Sequence, residues 1–152
     1  MLRAGWLFIL GLIASGGFPG IAKWWLFPSA LAFFILHTIN QPFRTRVINS
    51  FLFALGLFAP MLHWSSSFVG SLPWILLTIM CALFYLPLSI ALKNGRFLAV
   101  IFPAFWVAIE YARNRIPFGG FAWGRAGYLA VDSPYSELVT YLGIAGASAF
   151  LS

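Results

Sequence analysis

The residues able to make or break bonds are few and widely spaced in this chain. Cys81 is the only cysteine. It stands in the middle of a long apolar run, the setting of a packed or lipid-facing thiol and not of a reactive one, and alone it forms no internal disulfide. His37 and His63 fall near the ends of successive apolar runs, too far apart to share a metal, and neither has a second ligand at helical spacing. Lys23 and Lys93 are the only lysines and belong to opposite ends of the same pattern. No Ser-His-Asp, Cys-His or paired-carboxylate set can be assembled, so the chain is expected to hold no catalytic residue, metal or cofactor of its own.

Charged and conformationally special residues gather instead between Glu110 and Glu137. Glu110 precedes Arg113 by three residues and Asn114 by four on one helix, an order that favours side-chain pairing. An acid near the end of a membrane span defaults to a functional hypothesis, with a structural pair at the interface as the plain alternative. The run Arg115-Ile116-Pro117-Phe118-Gly119-Gly120-Phe121-Ala122-Trp123-Gly124-Arg125-Ala126-Gly127-Tyr128 follows. Its glycines and proline forbid a regular helix from Pro117 to Gly127. Phe118, Phe121, Trp123 and Tyr128 are of the kind that settles at lipid headgroup level, and Arg113, Arg115 and Arg125 are spaced to meet lipid phosphates. Such a loop could bind a headgroup or an acyl chain entering sideways, or serve as an ordinary interface loop.

The elements that must position this loop follow from composition. Of 152 residues, 62% are hydrophobic and 8% charged, where a soluble domain carries roughly 45–50% and about 25%. There is too little charge to cover a water-facing surface, so the chain reads as a membrane protein. Disordered tails, coiled coils, disulfide-rich modules and nucleic-acid binders are excluded. The net charge of +6 would suggest phosphate binding in a soluble protein, but these bases punctuate apolar runs and read as topology markers.

Charges at a span centre cost about 2.5–3.5 kcal/mol each, so the uncharged runs count the spans. Residues 4–22 and 24–43 fit one span each, at about 20 residues per crossing. Residues 47–92 fit two, divided by a turn from His63 to Pro73, with the fourth span starting near Pro73. A fifth covers Asn94 to Arg113 and keeps Glu110 near its end. A sixth begins around Leu138 and reaches only Ser152. The expected fold is all-α: a polytopic helix bundle of about five complete spans plus the start of a sixth, forming one membrane domain over residues 1–152. A run that stops there suggests a piece of a longer protein, with a short re-entrant C-terminus as the alternative. Arg3 and the apolar run to Ile13 also have the order of a signal peptide, but the later spans make an uncleaved first helix the favoured reading.

A cytoplasmic N-terminus puts Arg3, Arg44, Arg46, Lys93 and Arg96 inside. Lys23, Arg113, Arg115 and Arg125 then lie outside, together with the three acids Glu110, Asp132 and Glu137.

At the loop the sequence resembles a known family. Phe105-Trp106-Val107-Ala108-Ile109-Glu110-Tyr111-Ala112-Arg113, then Pro117 to Arg125, Gly127-Tyr128 and Asp132-Ser133-Pro134, are similar to the membrane domain of bacterial apolipoprotein N-acyltransferases. Gly17-Phe18-Pro19, His63-Trp64, Leu72-Pro73-Trp74 and the stretch from Leu142 to Ser148 fit the same pattern, and the Gly-Gly-Phe-x-Trp-Gly-Arg wording resembles the actinobacterial branch. The resemblance implies eight membrane helices carrying an extracytoplasmic nitrilase-like domain in a bacterial cell membrane. It further implies a phospholipid acyl donor, a diacylglyceryl-cysteine lipoprotein acceptor and a cysteine, glutamate and lysine set expected downstream of Ser152. Within the chain the composition of the loop makes Glu110, Arg113, Gly120, Phe121, Trp123, Arg125 and Tyr128 the expected substrate path, with aromatics packing acyl chains and Arg125 meeting phosphate. The alternative is a small multi-span transporter or substrate-binding membrane subunit, with the same loop as a gate.

Overall fold

The computed structural model describes residues 2–93 and 95–152. Expectations that rest on Asn94, or on the side chains of Arg3 and Arg96, lie outside the described residues. The chain is all-helical, with no strand among those residues. In order it forms α1 (Leu2–Ser15), α2 (Leu26–Thr38), α3 (Phe43–Met61), α4 (Ser66–Val69), α5 (Ser71–Leu83), α6 (Leu88–Ala91), α7 (Leu98–Arg113) and α8 (Glu137–Leu151). Short 3-10 turns cover His63–Ser65, Gly95–Phe97 and Ala126–Ala130.

Helix boundaries follow the backbone chemistry of the sequence. Pro73 falls in the first turn of α5, where its missing N–H has no intrahelical acceptor to lose. Pro87 breaks the run between α5 and α6, and the chain answers with i to i−3 bonds: Tyr85 N–H to Ala82 O, Leu86 to Leu83, and Ser89 to Leu86. Gly143, at φ +65°, divides α8, a left-handed conformation that costs glycine little.

The long helices alternate in direction and so sort the chain into two ends. At one end Lys23 N–H bonds Gly16 O, Trp24 meets Tyr135 edge to face at 5.6 Å, and Trp64 lies 5.9 Å from Trp123. At the other, Asn40 N–H bonds Leu92 O.

Ser71–Ala91 is long and apolar enough to cross a membrane, and Phe43–Met61 with His63–Val69 passes only as a pair bent by 50°. The apolar segments Gly5–Ser15, Leu26–Thr38 and Glu137–Leu151 are shorter. A helix of 13 residues such as α2 rises only about 20 Å, against a hydrocarbon core of about 30 Å. Helix length therefore does not by itself return the five spans expected, because turns take up the ends of each apolar run.

The helices expose apolar side chains as well as burying them, unlike the one-sided apolar stripe of a soluble helix. On α5, Thr78, Cys81 and Ala82 are buried while Leu72, Ile75, Leu76, Ile79 and Leu83 are exposed. α1 and α3 cross at Gly11 and Gly56 with backbones in contact, since a Cβ on Gly56 would stand 2.2 Å from Phe8 O. Close crossings through small residues are the packing mode of helices that gain nothing by hiding apolar surface from lipid. Beneath the 117–128 loop an aromatic chain links the elements: Phe18 to Phe27 at 5.8 Å, Phe27 to Trp106 at 5.5 Å, Trp106 to Tyr85 at 4.8 Å and Tyr85 to Phe58 at 5.4 Å.

Candidate functional site

Glu110, on the last turns of α7, is 1% exposed and its carboxylate is surrounded by donors. Trp106 Nε1 donates to Oε1 at 3.0 Å, one helical turn back. Ala126 N–H donates to the same oxygen at 2.7 Å. Ser148 Oγ donates to Oε2 at 2.7 Å, and Arg125 Nε approaches that oxygen at 3.5 Å. Ser148 Oγ also accepts Gly127 N–H at 2.8 Å. One carboxylate therefore fastens α7, the 125–127 segment and α8 together.

Arg113 does not pair with Glu110, although the spacing predicts it. Its guanidinium turns to the loop instead: Nη1 donates to Phe121 O at 3.0 Å and to Trp123 O, and Nη2 reaches Gly124 O at 3.4 Å. Phe121 N–H returns a bond to Arg113 O at 2.7 Å, and the guanidinium lies 5.0 Å from the Phe58 ring centroid. The physical reason is geometric. A planar fork of donors satisfies several converging carbonyls, and only the glycine-bent loop presents carbonyls in that arrangement. Arg113 is fully buried, so it holds the loop and does not face lipid phosphate.

Gly120 and Gly124 make that bend. Both have positive φ, +84° and +71°. A Cβ on Gly120 would sit 2.1 Å from the Asn114 carbonyl carbon, which no side chain can relieve.

The substrate-path candidates therefore separate into two groups. Glu110, Arg113 and Gly120 are framework, and Phe121 is partly buried against the core with both backbone polar groups bonded to Arg113. Trp123 and Tyr128 present their rings outward at 50% and 40% exposure. Arg125 stands between, its side chain 16% exposed and paired to Glu110. Beside Trp123, the exposed rings of Trp64 and Phe68 extend one apolar surface, and Phe118 is fully exposed in the loop. Arg115 is exposed and stacks on Tyr111, 3.4 Å from its ring centroid.

Residues 10–152 match the family described as the apolipoprotein N-acyltransferase N-terminal domain. The chain belongs to this family. Among similar proteins, the apolipoprotein N-acyltransferase of Haemophilus influenzae is 28% identical over 93% of this chain, which spans 29% of that relative. The one from Neisseria meningitidis is 29% identical over 79% of this chain and 26% of its own length, and the one from Photobacterium profundum is 26% identical over 90% and 29%. The chain thus spans less than a third of the curated relatives it matches.

Within this acyltransferase N-terminal domain, sequence reasoning missed two members of the Glu110 network as site residues. Trp106 is four residues before Glu110, so helical periodicity places it on the same face and could have found it. Ser148 lies 38 residues away, and no local pattern connects it to a carboxylate. Among the described residues no group of three His, Cys, Asp or Glu side chains could hold a metal ion. His63 packs edge to face on Trp74 at 5.0 Å, and Cys81 is buried against Arg113.

Proposed function

We propose that this chain is the membrane-embedded N-terminal part of an apolipoprotein N-acyltransferase and that its loop from Pro117 to Tyr128 admits lipid substrates. In this reading the long helices cross a bacterial cell membrane several times, with the N-terminus in the cytoplasm and the loop at the outer face. The reaction moves an acyl chain from a phospholipid to the α-amine of a diacylglyceryl-cysteine lipoprotein. The bond-making cysteine, glutamate and lysine belong to a nitrilase-like domain elsewhere in the intact enzyme, and Cys81 takes no part.

The observation that carries the reading is the division of labour in the loop. Glu110 and Arg113 clamp its backbone from beneath, which leaves Trp123, Tyr128 and Phe118 displayed on the exposed side. Irregular backbone at membrane depth persists only when its polar groups are satisfied by protein or line a cavity, and here buried side chains satisfy several of them. A rigid aromatic ledge at the bilayer edge suits an acyl chain that slides out of the membrane. The many large apolar side chains on the outside of the bundle support the membrane setting.

Substituting Trp123→Ala or Arg125→Ala in the intact enzyme tests the assignment, with N-acylation of a diacylglyceryl lipoprotein as the readout. The expected result is a fall of about tenfold, the scale of one well-placed contact, with Trp123→Ala acting mainly through the lipid concentration needed. Wild-type rates in both variants would end it.

A further inference from the structure

We propose that Arg46 forms a binding site for the phosphate of an anionic phospholipid, at the end of the bundle opposite the 117–128 loop. The inference rests on the membrane reading above.

Arg46 lies in the second turn of α3 and is 6% exposed, yet its Nε and Nη1 are buried without a hydrogen-bond partner. The Phe43 ring centroid lies 5.7 Å from its guanidinium carbon. A buried, unpaired charge costs several kcal/mol unless something neutralises it. The chain pairs no carboxylate with Arg46 among the described residues. It has three acids, Glu110, Asp132 and Glu137, all within the 110–137 region at the far end. Arg113, the other buried arginine, leaves its Nε unpartnered too but has three carbonyls on the two Nη atoms of its fork.

The surroundings select the anion. Ser50, one turn further along the same face of α3, is fully buried with its own Oγ unpartnered, a second unmet polar group on that face. No side chain caps the start of α3. Arg44 and Lys93 are exposed nearby and add positive potential, while Phe43 and Ile48 are exposed apolar neighbours on α3. Charge with a donor cluster flanked by apolar side chains fits a phosphate carried on acyl chains. Basic pockets at the cytoplasmic ends of spanning helices recognise such headgroups, and a guanidinium fork matches phosphate oxygens.

The test measures thermal unfolding of the intact protein in mixed micelles with added dioleoyl-phosphatidylglycerol, dioleoyl-phosphatidylcholine or inorganic phosphate. Phosphatidylglycerol is expected to raise the Tm of the wild type by about 3 °C or more above phosphatidylcholine. Arg46→Gln should lose that rise, whereas Arg46→Lys keeps part of it and Arg44→Gln most of it. Without anionic lipid, Arg46→Gln should be no less stable than wild type, because it removes an unpaired charge. No difference between the two lipids in the wild type overturns the inference, whatever the variants do. So does destabilisation of Arg46→Gln to the same degree in every lipid, which would mean a carboxylate from the rest of the protein. An equal rise with inorganic phosphate would overturn the lipid assignment in favour of a dissolved anion. Alkaline carbonate extraction keeps the two readings apart: release into the aqueous phase ends the membrane reading, and retention without a lipid response ends this one alone.

Discussion

Ser148 Oγ and Glu110 Oε2 lie 2.7 Å apart although 38 residues separate them in the chain. The hydroxyl donates a hydrogen bond to the carboxylate and accepts one from Gly127 N–H at 2.8 Å, so α8 is fixed to α7 through the segment it must hold. Ser148→Ala removes both bonds and strands a buried amide. Its expected cost is about 1–3 kcal/mol, read as a lowered Tm in detergent.

Glu110 accepts from four donors, and the type of substitution separates charge from acceptor capacity. Glu110→Gln can keep its oxygen towards Trp106 Nε1 and Ala126 N–H, and its amide can donate to Ser148, so it loses chiefly the Arg125 contact. Glu110→Ala leaves the buried indole and amide donors without an acceptor, at about 1–3 kcal/mol each. The alanine variant should therefore be the less stable of the two by at least about 2 kcal/mol. Equal stabilities would mean that the carboxylate acts only as a charge.

Much of the architecture was legible because the chain's charges are so few. The uncharged runs located every long helix, and the turn residues at Gly17 to Pro19, His63 to Pro73 and Pro117 to Gly127 located the reversals. Crossing length was not legible, since Gly16 and Gly17 divert apolar residues into turns that composition cannot distinguish from helix. In the site, spacing brought out Glu110 and Arg113 but paired them wrongly. Carbonyl directions set by the positive φ of Gly120 and Gly124 decide where a guanidinium goes, and those directions exist only once the loop is folded. The Ser148 contact has the same character, because it depends on how α8 docks.

Arg113→Lys keeps the charge and gives up the fork. An ammonium cannot reach three carbonyls spread over Phe121, Trp123 and Gly124, so buried acceptors go unmet at about 1–3 kcal/mol in all. Limited proteolysis in detergent should show cleavage within residues 117–124 increasing several-fold over wild type, with the helices still protected. Unchanged cleavage would show that Arg113 does not order the loop.

The α1–α3 crossing makes a prediction remote from the site. Gly56→Ala would place a Cβ 2.2 Å from Phe8 O and 3.1 Å from the Gly11 Cα, all backbone that can yield only by moving a helix. Overpacking of this kind costs about 1–3 kcal/mol. Gly5→Ala meets nothing within 4 Å and should hold stability or raise it slightly through helix propensity. Urea or thermal midpoints of the two variants in one detergent compare them directly, and equal midpoints would mean that the helices are not in contact there.

Gly120 and Gly124 share a left-handed backbone but not their neighbours, which allows strain to be separated from collision. Alanine at either position pays about 1–2 kcal/mol for the left-handed conformation. At Gly124 the added methyl would meet the end of the Met61 side chain, which can swing away. At Gly120 it meets the Asn114 and Arg115 backbone at 2.1–2.3 Å, so the loop itself must shift and carry Trp123 with it. Gly120→Ala is therefore expected to be the more harmful, both in Tm and in N-acylation by the intact enzyme. Equal losses at the two glycines would locate the requirement in backbone conformation alone and detach the loop's seating on α7 from its function.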